Sequence, residues 1–144
     1  MRRLKIIAVG KMKNKALARL CGDYLERLSH YCRAEIAEIG DSDPAREGER
    51  MLAHLKNFKG KVYAAGEEGR LRTSREFAKL LEGEAGDCAF IVGGAYGLSA
   101  EVKARADEVI SLSPMTFTHE FARVILLEQL YRAKNISANT GYHH

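Results

Sequence analysis

This chain of 144 residues lacks the features of several protein classes. Its three cysteines are odd in number and widely spaced, which indicates neither a disulfide framework nor a zinc site. No apolar run approaches the about 18 residues of a transmembrane helix, and the apolar run near the N-terminus is too short for a signal peptide. We therefore expect a soluble protein of the reducing cytoplasm that contacts no membrane.

Common catalytic and nucleotide-binding motifs are also missing. The chain has no Gly-Lys-Ser/Thr motif of a P-loop, and Gly93, Gly94 and Gly97 do not have the alternate spacing of the dinucleotide fingerprint. No Ser/His/Asp or Cys/His order and no cluster of metal ligands stands out, so we predict no metal. Taken alone, the glycine-rich stretch fits either a ligand loop or a plain tight turn.

Acidic residues are absent from the first 22 positions, although the whole chain has a formal net charge of +4. Basic residues are frequent there, namely Arg2, Arg3, Lys5, Lys11, Lys13, Lys15 and Arg19. Such a basic end suits a polyanion such as nucleic acid. The alternative is a solvated, lysine-rich surface that has no partner.

Apolar residues follow an alternating pattern of strands and helices through the chain, which has no repeat or linker. We predict strands at residues 4–9, 34–39, 61–65, 88–92 and 109–112, the third of them closed by the GEEG turn. Helices are predicted around residues 17–31, from Pro44 to about Phe58, after a Thr73–Glu76 capping box, after Ser99, and from Thr118 to about Lys134. Residues 88–92 are apolar on both faces, which is typical of a covered parallel sheet. We expect one α/β domain over residues 1–144, with a mostly parallel sheet and helices on both faces.

The last predicted helix carries Arg123 and Arg132 among apolar residues. So much apolar surface fits either a subunit interface or a central core helix. His119 begins this helix, where the positive helix dipole disfavours a protonated imidazole, so it is either a neutral hydrogen-bonding group or an ordinary surface histidine. The polar tail at residues 137–144 is expected to be unstructured.

Five segments together resemble the RlmH family of SPOUT methyltransferases, enzymes that methylate a pseudouridine of large-subunit ribosomal RNA. The segments are LKIIAVGKMK, VYAAGEEGRLRTSREFA, FIVGGAYGLS, SLSPMTFTHEFARVILLEQLYRA and the terminal Tyr142 and His143. Their order and spacing cover essentially the whole chain.

The resemblance implies a C-terminal deep trefoil knot, a rare exception to the rule that chains are unknotted. It also implies a homodimer with a site built from both subunits. S-adenosyl-L-methionine would bind in the knot, held largely by backbone groups. By position its ligands would be Ala65, Gly93, Gly94, Leu112, Ser113, Pro114, Met115, Thr116 and Phe117.

The resemblance further assigns target positioning and charge stabilisation to His119, Arg132, Tyr142 and His143. A donor or cation would stabilise the negative base that forms when N3 loses its proton, and a neutral histidine would receive that proton. RNA phosphates would be bound by Arg2, Arg3, Lys11, Lys13, Lys15 and Arg123. The chain departs from the family at Gly141, where proline is usual, at His144, where a basic residue is usual, and at Ala65, where leucine is frequent.

The resemblance therefore implies an enzyme that methylates N3 of a pseudouridine in large-subunit ribosomal RNA. The small size of the chain, which leaves no room for a separate RNA-reading domain, points to the assembled ribosome as its substrate. Two alternatives stay open. One is a related knotted methyltransferase that acts on transfer RNA, and the other is a ribosome-binding or RNA-binding module that has lost catalysis.

Overall fold

Strands and helices alternate through residues 3–144, the part of the chain that the computed structural model describes. The five strands are β1 (Arg3–Val9), β2 (Arg33–Ile39), β3 (Lys61–Leu71), β4 (Cys88–Val92) and β5 (Glu108–Ser111). The five helices are α1 (Lys15–Leu28), α2 (Pro44–Leu55), α3 (Ser74–Glu82), α4 (Ala100–Arg105) and α5 (His119–Ala138). Each strand is followed by a helix, as the sequence predicted.

The strands form one sheet in the order β2-β1-β4-β3-β5, and every neighbouring pair is parallel. Successive residues of β1 point to opposite faces of this sheet. Leu4 and Ile6 belong to the core beneath α1, α3 and α5, whereas Ile7 and Val9 belong to the core beneath α2 and α4. The predicted α/β fold with helices on both faces is therefore confirmed.

Four helices begin at side-chain caps, at the positions where the sequence predicted their starts. Asp43 accepts from the amide of Arg46 at 2.8 Å, and Thr73 and Glu76 form a complete capping box. Ser99 and Thr118 each accept from the amide three residues later. Helix α5 continues to Ala138, beyond the predicted end near Lys134, because buried Ala133 and Asn135 extend its packed face.

The predicted end of the third strand was wrong, because β3 continues through the GEEG segment to Leu71. Both Ala65 and Arg70 pair with Ile110 of β5, so residues 66–69 bulge outward between them. A Cβ atom on Gly69 would lie 2.6 Å from backbone atoms of Val109 and Ile110. The bulge thus requires a residue without a side chain where it returns to β5.

Helix α5 packs against both α1 and α3, and its leucines at positions 126, 127 and 130 are fully buried. Packing as a central core helix therefore buries most of the apolar surface of α5 within one chain. Phe121 at its first turn is 51% exposed and is not covered by this packing. Within residues 3–144, no helix combines the length and the apolarity that crossing a membrane requires.

Gly69→Ala is expected to destabilise the fold by about 1–3 kcal/mol, because its methyl group must displace β5 backbone. Gly86→Ala is the matched control, since nothing lies within 4 Å of the added Cβ, and it should change stability by less than about 0.5 kcal/mol. Urea unfolding of both variants measures the difference. Equal free energies of unfolding for the two variants would contradict the close approach at Gly69.

Candidate active site

An open cleft of about 1010 Å³ lies at the carboxyl ends of β3, β4 and β5. In open parallel sheets, ligands bind beyond the carboxyl ends of the strands, because the loops there present free backbone groups. Eight of the nine predicted cofactor residues line it, namely Ala65, Gly93, Gly94, Leu112, Ser113, Met115, Thr116 and Phe117. Pro114 belongs to the same loop, is exposed, and is not among the lining residues.

The wall that follows β4 is a tight glycine turn. The amide of Gly97 donates to the carbonyl of Gly94 at 3.1 Å, and Gly97 has a φ of 81°, a conformation that favours glycine. A Cβ atom on Gly93 would lie 3.0 Å from the Gly97 backbone. The turn is therefore compact, and backbone rather than side chains forms this wall of the cleft.

Two acidic residues missed by the sequence reasoning support this region. Glu47 of α2 is only 3% exposed, and both its carboxylate oxygens lie 3.1 Å from where a Cβ of Gly94 would be. Burial raises the pKa of Glu47, and Asp41 adds to the effect. Glu67 lies in the cleft, where its carboxylate accepts a hydrogen bond from the Thr116 hydroxyl. The sequence did contain a signal for Glu67, because the acidic GEEG segment directly follows the predicted cofactor residue Ala65.

Contacts at the start of α5 bring basic residues of the β1–α1 loop close to the same cleft. His119 and Glu120 line the cleft, and the Glu120 carboxylate accepts from the amides of Lys13 at 2.9 Å and Asn14 at 3.0 Å. Those backbone bonds lower the pKa of Glu120. They also hold the β1–α1 loop, with exposed Lys11, Lys13 and Lys15, against the edge of the cleft.

The other predicted RNA contacts are placed differently. Arg3 is ion-paired with Glu35 of β2 at 2.9 Å and is half-buried, and Arg2 lies outside the described residues. Arg123 does not fit the predicted phosphate contact, because it is only 2% exposed. Its guanidinium donates to Glu38 at 2.6 Å and to the carbonyls of Val9 and Gly10. The prediction for Arg123 was therefore wrong, and this residue is instead a buried link between α5 and the ends of β1 and β2.

Three predicted catalytic residues form a second cluster near the C-terminal end of α5. Glu128 accepts from Arg132, whose Nη2 lies 2.5 Å away, and from the Tyr142 hydroxyl at 3.2 Å. Arg132 Nη1 lies 3.0 Å from Nδ1 of His143. A guanidinium only donates hydrogen bonds, so Nδ1 accepts here and the neutral imidazole carries its proton on Nε2. The sequence reasoning missed Glu128, although its i,i+4 spacing from Arg132 was visible.

The tail folds back on α5, which corrects the expectation of an unstructured end. The Thr140 hydroxyl donates to Asn135 at 2.6 Å, and the Tyr142 ring packs edge-on against Tyr131 with centroids 5.0 Å apart. Gly141 has a φ of 83°, which proline cannot adopt. The glycine at this position is therefore what allows this path of the chain.

Position along α5 separates the two clusters. His119 begins the helix at the cleft, and Arg132 follows 13 residues later, which is about 20 Å along the helix axis. Within residues 3–144, no group of three potential metal-ligating side chains is brought together. One chain therefore places His119 with the cofactor-loop residues, and Arg132, Tyr142 and His143 apart from them.

A family model described as "Predicted SPOUT methyltransferase" matches residues 2–143. The chain belongs to this family of SPOUT methyltransferases. It is 42% identical to ribosomal RNA large subunit methyltransferase H of Ligilactobacillus salivarius (strain UCC118), over 97% of this chain and 98% of that protein. The protein of the same name from Nitratidesulfovibrio vulgaris (strain DSM 19637 / Miyazaki F) is 44% identical, with both chains fully covered. The resemblance drawn from the sequence motifs is confirmed.

Solved structures similar to this SPOUT methyltransferase chain share its fold. A probable methylase family protein from Haemophilus influenzae Rd KW20 has a TM-score of 0.58 and 14% identity, covering 99% of this chain and 70% of that one. TrmJ from Z. mobilis ZM4 has a TM-score of 0.60 and 14% identity, covering 92% and 70%. At such identity the likeness concerns the fold alone.

The docked tail is expected to weaken as the pH falls. Burial, followed by the charges of Arg75 and Arg132, lowers the pKa of His143 below 6.5. An undocked histidine therefore protonates first as the pH falls. The contribution of neutral His143 to docking is fully present above pH 6.5 and is lost as the pH falls toward the lower pKa of the docked form. An NMR titration, with the signal assigned by His143→Gln, should give a midpoint below 6.5.

Arg75→Gln should raise that midpoint, because it removes a nearby positive charge. Arg46→Gln is the control, since α2 lies on the opposite face of the sheet from α5 and the tail. A wild-type midpoint at or above 6.5 would contradict the docked geometry of His143.

Proposed function

We propose that this protein is an S-adenosylmethionine-dependent enzyme that methylates N3 of a pseudouridine in large-subunit ribosomal RNA, acting in the cytoplasm on the assembled ribosome. One observation carries the proposal. The loops that the family resemblance assigns to the cofactor converge on one cleft at the carboxyl ends of β3, β4 and β5. The full-length similarity to proteins named ribosomal RNA large subunit methyltransferase H supports the choice of RNA.

The cleft fits the proposed cofactor in size and in chemistry. Its volume of about 1010 Å³ leaves room for a drug-sized ligand together with part of a target nucleotide. The glycine turn presents backbone groups that suit hydrogen bonding to an adenine, and Leu112, Met115 and Phe117 add apolar surface. Ala65 offers less apolar contact than a leucine there would. When bound, the cofactor supplies an electrophilic methyl group attached to a positively charged sulfur.

We further propose a single knotted domain that acts as a homodimer. Large apolar side chains around the cleft are exposed in the single chain, including Met115 at 75% and Phe121 at 51%. Exposed apolar surface of this kind is typical of interaction sites. The separation of about 20 Å along α5 also keeps the tail cluster away from its own cleft. A second copy that brings its tail to this cleft would complete the catalytic set.

The described side chains suit different parts of the reaction. His143 has Nδ1 engaged by Arg132, so its Nε2–H suits donation to a carbonyl oxygen of the target base. The remaining N–H groups of Arg132 also suit donation to the target base, because Glu128 already holds the guanidinium in place. Burial and Glu128 raise the pKa of Tyr142 to about 12, so its phenol stays protonated and serves as a donor. His119, at the cleft, is then the proposed acceptor of the N3 proton.

RNA phosphates are proposed to bind along the β1–α1 loop. Lys11, Lys13 and Lys15 are exposed there, and Asn14 of the same loop lines the cleft. A cationic loop at the cleft edge would place the RNA backbone near the reacting base. Arg2 and Arg3 stay in the proposed set at the chain end, while buried Arg123 leaves it.

Purified protein incubated with labelled S-adenosylmethionine is expected to methylate ribosomes from a strain that lacks this modification, at one pseudouridine. Isolated large subunits, free ribosomal RNA and transfer RNA are the parallel substrates. Label on transfer RNA and not on ribosomes would identify a related methyltransferase instead. Binding of the cofactor without label on any substrate would identify a module that has lost catalysis.

A complementation experiment tests the composite site. Thr116→Trp fills the cleft from an exposed position, and a Tyr142→Ala, His143→Ala double variant removes the tail donors, so each homodimer should be inactive. Co-expression should restore up to about one quarter of wild-type activity, because about half the dimers are mixed and each has one intact site. Activity that stays absent in purified mixed dimers would contradict a site shared between subunits. Two differently tagged Thr116→Trp chains are the control.

A further inference from the structure

Among residues 3–144, three carboxylates line the cleft, and two of them are already compensated. Glu68 forms an ion pair with Lys103 at 2.7 Å. Glu120 accepts from the backbone amides of Lys13 and Asn14. The third carboxylate, Glu67, makes no ion pair within residues 3–144.

Glu67 is nevertheless held in a defined position. Its carboxylate accepts from the hydroxyl of Thr116, and its main-chain carbonyl accepts from the hydroxyl of Ser111 at 3.2 Å. These bonds join the bulge of β3 to the loop that follows β5. An uncompensated negative charge is thereby fixed between the two loops that the proposed function assigns to the cofactor.

A fixed negative charge distinguishes ligands by their charge. S-adenosylmethionine carries a positive sulfonium, whereas the product S-adenosylhomocysteine has a neutral thioether at the same atom. We propose that Glu67 is the specificity-determining residue that makes this cleft prefer the positively charged donor over the neutral product. This inference rests on the proposed function, and it adds a reason for product release, since the attraction disappears once the methyl group has left.

Two substitutions separate this electrostatic role from a purely structural one. Glu67→Gln keeps an oxygen that can accept from Thr116 and removes the charge. Thr116→Val keeps the charge and removes the hydroxyl that holds it. A purely structural link between the loops would survive Glu67→Gln and be lost in Thr116→Val, and its loss would affect charged and neutral ligands equally.

Isothermal titration calorimetry should be done with S-adenosylmethionine, S-adenosylhomocysteine and sinefungin, a cofactor analogue with a positively charged amine near the position of the sulfonium. Glu67→Gln is expected to weaken binding of the two charged ligands by roughly fivefold relative to the neutral product. Raising the salt concentration should reduce the preference of the wild type and have less effect on that of the variant. Glu101→Gln removes the same charge from an exposed position on α4 outside the cleft and should leave the preference unchanged.

Equal weakening of all three ligands by Glu67→Gln would overturn the inference, and so would three unchanged affinities. Thr116→Val should weaken the charged and neutral ligands by similar factors. A wild-type protein that binds none of the three ligands would instead show that the proposed cofactor is wrong, and the inference would fail with it.

Discussion

The packing of α5 against α1 and α3 is the constraint on which the rest of the molecule depends. After β5, at one edge of the sheet, the chain returns across the helical layer and buries three leucines of α5 completely. Burial of that many large apolar side chains contributes several kcal/mol, on the order of 1.5–3 kcal/mol each. Because α5 is one continuous helix of 20 residues fixed in this layer, its first turn meets the cleft and its last turns carry the tail. The separation of the two proposed functional clusters therefore follows from core packing.

Arg123 shows how this packing is linked to the site. It is a charge at the buried face of α5, which costs free energy unless it is paired. Glu38 and two carbonyls of the β1 end meet that requirement, leaving Nε as the one buried side-chain polar atom without a partner among residues 3–144. The same β1 end leads into the loop whose amides bind Glu120. Two polar contacts, one buried and one exposed, thus fix the basic loop against the start of α5.

Local signals in the sequence predicted the parts of the structure that depend on local spacing. Strand and helix order, the Thr73 capping box and the glycine turn at the end of β4 all follow from residues a few positions apart. The extension of β3 could not be predicted in this way, because it depends on pairing with β5 about 40 residues later. The partner of Arg123 was hidden for the same reason, since Glu38 lies 85 residues away. The loops proposed to bind the cofactor were placed by family motifs. Glu67 and Glu128 had sequence signals nearby, in the GEEG acids and in the i,i+4 spacing from Arg132, but their contacts with Thr116 and Tyr142 became visible only in three dimensions.

In the proposed reaction, the tail cluster of Arg132, Tyr142 and His143 would contribute oriented donors more than net charge. The positive charge of Arg132 is balanced by Glu128, whose carboxylate also accepts from Tyr142, and His143 is neutral. A negative target base would therefore gain little from long-range attraction to this group, but it would meet N–H donors whose directions are already set. Donors fixed before the reaction need no reorganisation while charge develops, which is how such groups lower a barrier most effectively. The αL residue Asn139 and the positive φ of Gly141 turn the chain back to make that arrangement possible. The glycine at position 141 therefore lets the tail residues dock on α5 in the single chain.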